Sequence, residues 1–351
     1  MPKKFKNTSI KDIAKEARVA ISTVSYVINK KDLVAEKTKK KVLKAIDKLG
    51  YKPNFIARSL RTQKTSTIGV IVYDISNPFV AQIVRGIQEV AKMRGYIIVL
   101  GCTFNDSSEE ESQINVMINQ FIDGLIIISG PDNEKIYKKI LTKKIPVVFI
   151  DREIVKHDIA NVLINNSLAM EKAVDYLFSM GHREIGYISY PIDKQITVRQ
   201  RYEGYIKGLK KNNLAFNPEY VIIDEKFADK ELEGKDMDIT FDLMQQFIKT
   251  KKLPTAFITI SDIIAYGLIK ALQENNIKVP ESVSVVGFDN IMFDDYISPP
   301  LTTVRQPKKM MGITGINLLL DIIEGKEIEN KRIVLPTEII ERNSVKSISI
   351  A

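Results

Sequence analysis

The sequence predicts two unlike folds in one chain. An N-terminal all-α head, closed by a short hinge helix, precedes an α/β body of two lobes, each a doubly wound parallel sheet. Three observations predict this: a lopsided charge distribution, helical apolar periodicity over the first fifty residues, and a strand–loop–helix pattern that occurs twice beyond residue 66.

The charge split comes first. The chain has 351 residues, more than one core usually serves, and a net charge of +9. Residues 1–61 hold 17 Lys and Arg against 5 acids, a net +12, so the other 290 residues carry −3. A basic module on a mildly acidic one points to a polyanion partner for the head. With 44% hydrophobic and 27% charged residues the composition is that of a globular protein. Apolar runs such as GLIIIS are far shorter than the ~20 residues a membrane span needs, and MPKKFK lacks the apolar core of a secretion signal, so a cytoplasmic protein without membrane contact is expected. One cysteine and two histidines supply neither an internal disulfide nor an evident zinc site, and no cofactor is expected.

The head reads as two short helices around a tight turn, then a third. Ser9 caps the first, with Asp12 completing a box, and Ile10, Ile13, Ala14 and Ala17 form its inward stripe. The second, ISTVSYVIN, turns Val24, Val27 and Ile28 inward and Ser22, Thr23, Ser25, Tyr26 and Asn29 outward. That outer face is small, polar and nearly uncharged, and it suits a helix lying in a DNA groove. The third buries Val42, Ile46 and Leu49 and ends at Gly50. The arrangement is a helix-turn-helix.

After Pro53, the stretch from Asn54 to Leu60 allows about two helical turns, too few to be stable alone. In the body, IGVIVYD with RGIQEVAKMRGY is echoed 117 positions later by IGYISYP with EGYIKGLKKNNL. GLIIIS is echoed by AFITIS, and VVFID by VVGFD. Two similar lobes follow, with a cleft where the carboxyl ends of their strands face each other.

The run IKDIAKEARVAISTVSYVIN, with VAEKT and LGYKPNFIARSL, resembles the lac repressor and galactose repressor family of bacterial transcription regulators. DISNPF, GHREIGYI, RQRYEGY, VSVVGFDN and ISPPLTTVRQP extend the resemblance over nearly the whole chain, the body being similar to sugar-binding proteins of bacterial transport. The resemblance implies a regulator of a double-stranded, pseudo-palindromic DNA operator, bound as a homodimer. It implies Ile21, Ser22 and Tyr26 as base readers and Thr23, Ser25, Asn29 and Thr38 as phosphate contacts. Ile10 joins the DNA-facing set. Asn54, Ala57, Arg58 and Leu60 would form a minor-groove hinge, with Leu60 the wedge between base pairs. Three departures stand out: Arg18 in the turn, Ala20 in place of a capping serine, and Tyr26 where arginine is usual. Tyr26 removes a bidentate guanine contact and so predicts an altered operator.

In the cleft the resemblance implies a small-molecule effector, a sugar in the first instance and a purine or nucleoside in the second. Asn77 and Phe79, Asp151 and Arg152, Arg201, Phe227, Asp262 and Asp289 are the expected contacts, with Asp289 accepting vicinal hydroxyls and Arg201 forking onto ligand oxygens. Expected boundaries are 1–52 for the head, 53–65 for the hinge and 66–345 for the body, with 346–351 a tail. The first lobe would take about 66–164 plus 306–330, the second about 165–305 plus 331–345. His182 is expected at a helix C-terminus with no catalytic role. A cytosolic α/β sugar-phosphate or nucleotide enzyme is the rival class. Against it, the chain lacks GxxxxGK[ST], GxGxxG and GxSxG motifs, and an enzyme leaves the basic head unexplained.

Overall fold

The computed structural model describes residues 8–28, 33–51, 65–130, 134–154, 158–229 and 234–348. Asn29 and the hinge residues Asn54, Ala57, Arg58 and Leu60 lie outside them. The chain divides into two compact units, 1–65 and 66–351, each taken by itself below.

In the first unit, α1 (Ile10–Ala17), α2 (Ile21–Ile28) and α3 (Glu36–Lys48) surround Ile13, Ala14, Ala17, Val24, Val27, Val42 and Ala45. Ser9 and Asp12 form the expected reciprocal capping box. Arg18 closes α1 in the left-handed region (φ 52°), where its backbone N–H reaches the carbonyls of Ala14 and Lys15. The turn therefore holds a bulky cation in a conformation more often taken by glycine or asparagine. A core this small contributes modest stability, so each side chain in it counts.

The second unit is built from two six-stranded sheets. The first has the order β11-β5-β4-β3-β1-β2, from Arg332–Leu335, Ala160–Ile164, Val147–Ile150, Gly124–Ile128, Thr67–Val72 and Ile97–Cys102, all parallel. The second has the order β12-β10-β9-β8-β6-β7, from Glu338–Ile340, Thr302–Arg305, Ser284–Asp289, Ala256–Thr259, Ile185–Ser189 and Val221–Ile223. Here β12 runs antiparallel to β10 and the remaining pairs are parallel. The repeats fall on matching strands: β1 with β6, β3 with β8, β4 with β9. Central strands such as GLIII are buried from end to end, which is why they read as unbroken apolar runs rather than alternation.

Helices cover both faces. On the first sheet α4 (Pro78–Met93) packs against α11 (Lys308–Ile323) at close range. A Cβ on Gly86 would sit 2.3 Å from the Lys309 carbonyl oxygen, and one on Gly312 would sit 2.1 Å from that of Ile83. The pairing needs glycine on both helices. α5 (Ser107–Asn119) and α6 (Glu134–Lys143) belong to the same lobe. In the second lobe α7 (Asn166–Ser179) pairs with α8 (Ile196–Lys211), and α9 (Asp236–Thr250) with α10 (Asp262–Glu274).

Two boundaries differ from expectation. Residues 332–335 form β11 in the first sheet, paired with β5, so the chain returns to the second lobe only at β12. The segment after 345 is docked up to residue 348. Ile348 N–H donates to the Met180 carbonyl at 2.8 Å, and buried His182 contacts Thr255 Oγ1 at 3.0 Å and the Lys346 carbonyl at 3.2 Å. His182 thus does both: its backbone N–H donates to the Leu177 carbonyl at 3.0 Å, closing α7 as expected, while its ring secures the C-terminal segment.

Candidate effector cleft and nucleic-acid interface

The carboxyl ends of the two sheets enclose a cavity of about 350 Å³. Such crevices are where ligands bind in open α/β sheets. Its lining follows the internal repeat. Tyr73 and Tyr190 occupy matching positions after β1 and β6, Ser129 and Ser261 follow β3 and β8, and Asp151 and Asp289 stand at the ends of β4 and β9. All six line the cavity, so each lobe presents the same trio of tyrosine, serine and aspartate. Ser129 (φ 53°), Asp151 (φ 55°) and Asp289 (φ 127°) hold a backbone conformation that non-glycine residues rarely adopt. Strain of this kind persists where the surroundings over-determine it, commonly at ligand sites.

Asp289 accepts from Gln306 Nε2 at 2.6 Å, and Lys308 Nζ donates to its backbone carbonyl. Burial pushes the Asp289 carboxyl up to about 7. Arg201, Lys308 and the Gln306 bond pull it down, while Asp262 adds to the rise. Asp151 accepts from Ser129 Oγ at 2.8 Å through one oxygen, and its other oxygen, buried, has no hydrogen-bond partner among the described residues. Burial raises this carboxyl too, against the pull of Arg201. Arg201, on α8, donates through Nε to Asn166 at 2.8 Å and through Nη1 to the Ile260 carbonyl at 2.9 Å, with its guanidinium 4.0 Å from the Phe288 ring centre. Tyr190 donates to Asp236 at 2.8 Å and packs edge-on to Phe227, ring centres 5.4 Å apart.

Of the eight residues expected at the cleft, Asn77, Phe79, Asp151, Arg201, Phe227 and Asp289 line it. Asn77 spends its side-chain oxygen capping α4 at Phe79 N–H, 2.9 Å away, leaving its amide nitrogen for a ligand. Arg152 and Asp262 are corrections. Arg152 follows its strand but turns under the sheet, where it pairs with buried Glu110, donates to the Tyr137 hydroxyl at 2.9 Å and lies against the rings of Tyr137 and Phe149. Asp262 is wholly buried, accepting from Thr303 Oγ1 at 2.6 Å and Ile291 N–H at 3.0 Å. It acts as a brace between α10 and the loop after β9. Tyr73, Asp74, Phe104, Tyr190 and Asp236 line the cavity and were missed. The repeat alone could have found Tyr190, since IGYISYP places it where IGVIVYD has Tyr73.

In the head, Ile21, Ser22 and Tyr26 stand exposed on one face of α2, while Thr23, Ser25 and Thr38 are half buried. Ile10 is half buried against the core and so belongs first to the packing. Among the described residues no helix is long and apolar enough to cross a membrane.

Comparison with known proteins agrees with this geometry. Residues 9–54 match the family described as bacterial regulatory proteins, lacI family, and residues 174–345 match the periplasmic binding protein-like domain. The chain is 40% identical to the HTH-type transcriptional regulator RegA of Clostridium acetobutylicum, over 96% of its own length and 99% of RegA. It is 34% identical to the HTH-type transcriptional repressor PurR of Histophilus somni, over 97% and 99%. The solved transcriptional regulator CelR–cellobiose complex superposes with a TM-score of 0.71 at 27% identity, over 96% of this chain and 99% of that one.

A helix-turn-helix head joined to a two-lobed ligand-binding body defines a ligand-responsive DNA-binding transcriptional regulator, not an enzyme. The chain belongs to the lacI family of bacterial regulatory proteins.

Proposed function

We propose that this regulator acts in the cytoplasm as a homodimeric repressor whose operator affinity is set by a sugar held between its lobes. The paired trio of tyrosine, serine and aspartate at the carboxyl ends of both sheets carries the reading. Carboxylates accept from hydroxyls, tyrosine rings cover apolar sugar faces, and Arg201 adds a charged donor. A ligand touching both trios binds the closed arrangement of the lobes better than the open one, and only that difference can shift the equilibrium.

The homodimer is supported by the edge of the first sheet. Ile97 and Leu100 on edge strand β2 are exposed, as are Met93 at the end of α4 and Val116 on α5. An apolar edge of that kind is a pairing surface unless something covers it. Two copies related by a two-fold axis place two heads on half-sites about one helical turn apart. Ile21, Ser22 and Tyr26 then read base edges, and Thr23, Ser25, Asn29 and Thr38 hold phosphates. Asn54, Ala57, Arg58 and Leu60 form the hinge that passes the lobe movement to the DNA. Titration of a labelled operator duplex with the full chain, with and without cellobiose and a panel of other sugars, tests the reading. A sugar that changes operator affinity supports it, and turnover of any of them with no DNA binding overturns it.

A further inference from the structure

We infer that Glu153 and Gln200 form a clasp between the lobes that sets how far the empty body favours the closed arrangement. Both residues thereby govern effector affinity without touching the effector, a consequence that rests on the reading above.

A continuous run of side-chain hydrogen bonds links the cavity to the edge of the first sheet. Arg201 Nε donates to Asn166 Oδ1 at 2.8 Å, Asn166 Nδ2 to Gln200 Oε1 at 3.4 Å, and Gln200 Nε2 to Glu153 Oε2 at 2.7 Å. The other Glu153 oxygen accepts from Arg332 Nε at 3.0 Å and Nη2 at 2.8 Å. The ends fix the amides between them. Arginine only donates and a carboxylate only accepts, so Asn166 and Gln200 each fit the run in a single orientation.

Within this run the lobes meet at the bond between Gln200 and Glu153. Gln200 and Arg201 lie on α8 and Asn166 opens α7, and these two helices are locked together. A Cβ on Gly204 of α8 would sit 2.2 Å from the Ser167 carbonyl oxygen of α7. On the other side Glu153 follows β4, and Arg332 opens β11, in register with Asn161 of β5. A rotation of one lobe against the other keeps the bonds on either side and breaks the one between them. That bond is sheltered, the Glu153 side chain being 16% exposed, and its short, charge-assisted geometry puts it among the stronger hydrogen bonds. Gln195 Nε2, donating to Asn105 Oδ1 at 3.4 Å, adds a weaker tie at the cavity mouth. The start of α8 therefore meets the first lobe twice.

Neither Glu153 nor Gln200 lines the cavity, so their effect on a ligand passes through the lobe equilibrium. A ligand that requires the closed body binds with its intrinsic Kd divided by the closed fraction. Loss of one charge-assisted bond weakens closure on the order of tenfold, and apparent affinity falls by up to that factor.

The test places nitroxide labels at Ser112→Cys, on α5, and Asp193→Cys, near the cavity mouth of the second lobe, in the full chain carrying Cys102→Ser. Both label positions are exposed. Labelled chain is diluted with unlabelled chain so that distances are read within one copy, by pulsed dipolar spectroscopy without ligand. Glu153→Ala and Gln200→Ala should each move a large share of the population to a longer distance, and the double variant should move no further than either. Gln200→Lys still donates to Glu153 and should keep the parent distance. Unchanged distances in both single variants, or a summed displacement in the double, overturn the clasp. A sugar that binds the parent chain should then bind each alanine variant about three- to tenfold more weakly. Affinities within about twofold of the parent overturn the control of affinity. Binding of no sugar overturns the effector reading alone, because the distances decide the clasp without a ligand.

Discussion

Asp151 and Asp289 hold equivalent places in the two halves of the body. Each ends a central strand with a backbone in the positive-φ region, and in each the rise that burial imposes on the carboxyl is opposed by the charge of Arg201. They differ in what binds them. Asp289 is held by Gln306 and Lys308 from the segment that crosses between lobes, whereas Asp151 leans on Ser129 of its own lobe. The second lobe therefore carries the better anchored carboxyl, and the first lobe the one still seeking a donor.

Asp289→Asn tests that asymmetry by pH. Its folded carboxyl titrates at about 7, against about 4 in an unfolded chain. Between those values the folded body holds a proton that the unfolded chain has released. The group therefore lowers stability as pH rises from about 4 to about 7, and the loss is complete above that. The groups facing it are Arg201, Asp262, Lys308 and Gln306. Urea unfolding at pH 5 and pH 8 should show wild type losing on the order of a few kcal/mol more than the variant across this interval. An equal change in both proteins contradicts the placement.

Arg152→Ala distinguishes a structural role from a ligand role. Removing one partner of a buried pair leaves Glu110 uncompensated, at a cost of about 3–5 kcal/mol. Denaturant unfolding should show that loss, and because Arg152 adjoins Asp151 and donates to the Ser129 carbonyl at 3.4 Å, effector affinity falls together with stability rather than alone. A variant of normal stability with weakened binding would return Arg152 to the cleft.

Gly86→Ala probes the α4–α11 contact. Its new Cβ meets a backbone carbonyl rather than a flexible side chain, so the helices must separate. Overpacking of this kind costs about 1–3 kcal/mol, visible as a lower urea midpoint without a change of slope. An unchanged midpoint would mean the helices are farther apart than described.

These cases show what could be read in advance. Strand ends were legible because buried parallel strands are unbroken apolar runs, and the duplication fixed their order. Which way a side chain turns at a strand end was not. Asp151 and Arg152 are neighbours, yet one faces the cavity and the other pairs with Glu110 from α5, a partner 42 positions away that no local pattern marks. Asp236 was missed because a carboxylate in the first turn of a helix is adequately explained as a dipole partner. Tyr190 could have been found, since the repeat sets it opposite Tyr73.

Tyr26→Ala addresses the head. An exposed tyrosine on the outer face of α2 should contribute to base discrimination, so the variant should lose about 1–3 kcal/mol of preference for its operator over random duplex. Affinity for random duplex should change little, because that is supplied by phosphate contacts. Equal losses on both duplexes would make Tyr26 a backbone contact instead.

The most direct measurement of the central claim is the operator affinity of the full chain, by fluorescence anisotropy at fixed salt, as a function of an effector shown to bind the body. Wild type should change affinity at least fivefold between zero and saturating effector, the lower end of usual allosteric coupling. Asp289→Asn should show little change while binding operator normally without effector. An effector that saturates the cleft and leaves operator affinity untouched would contradict the account.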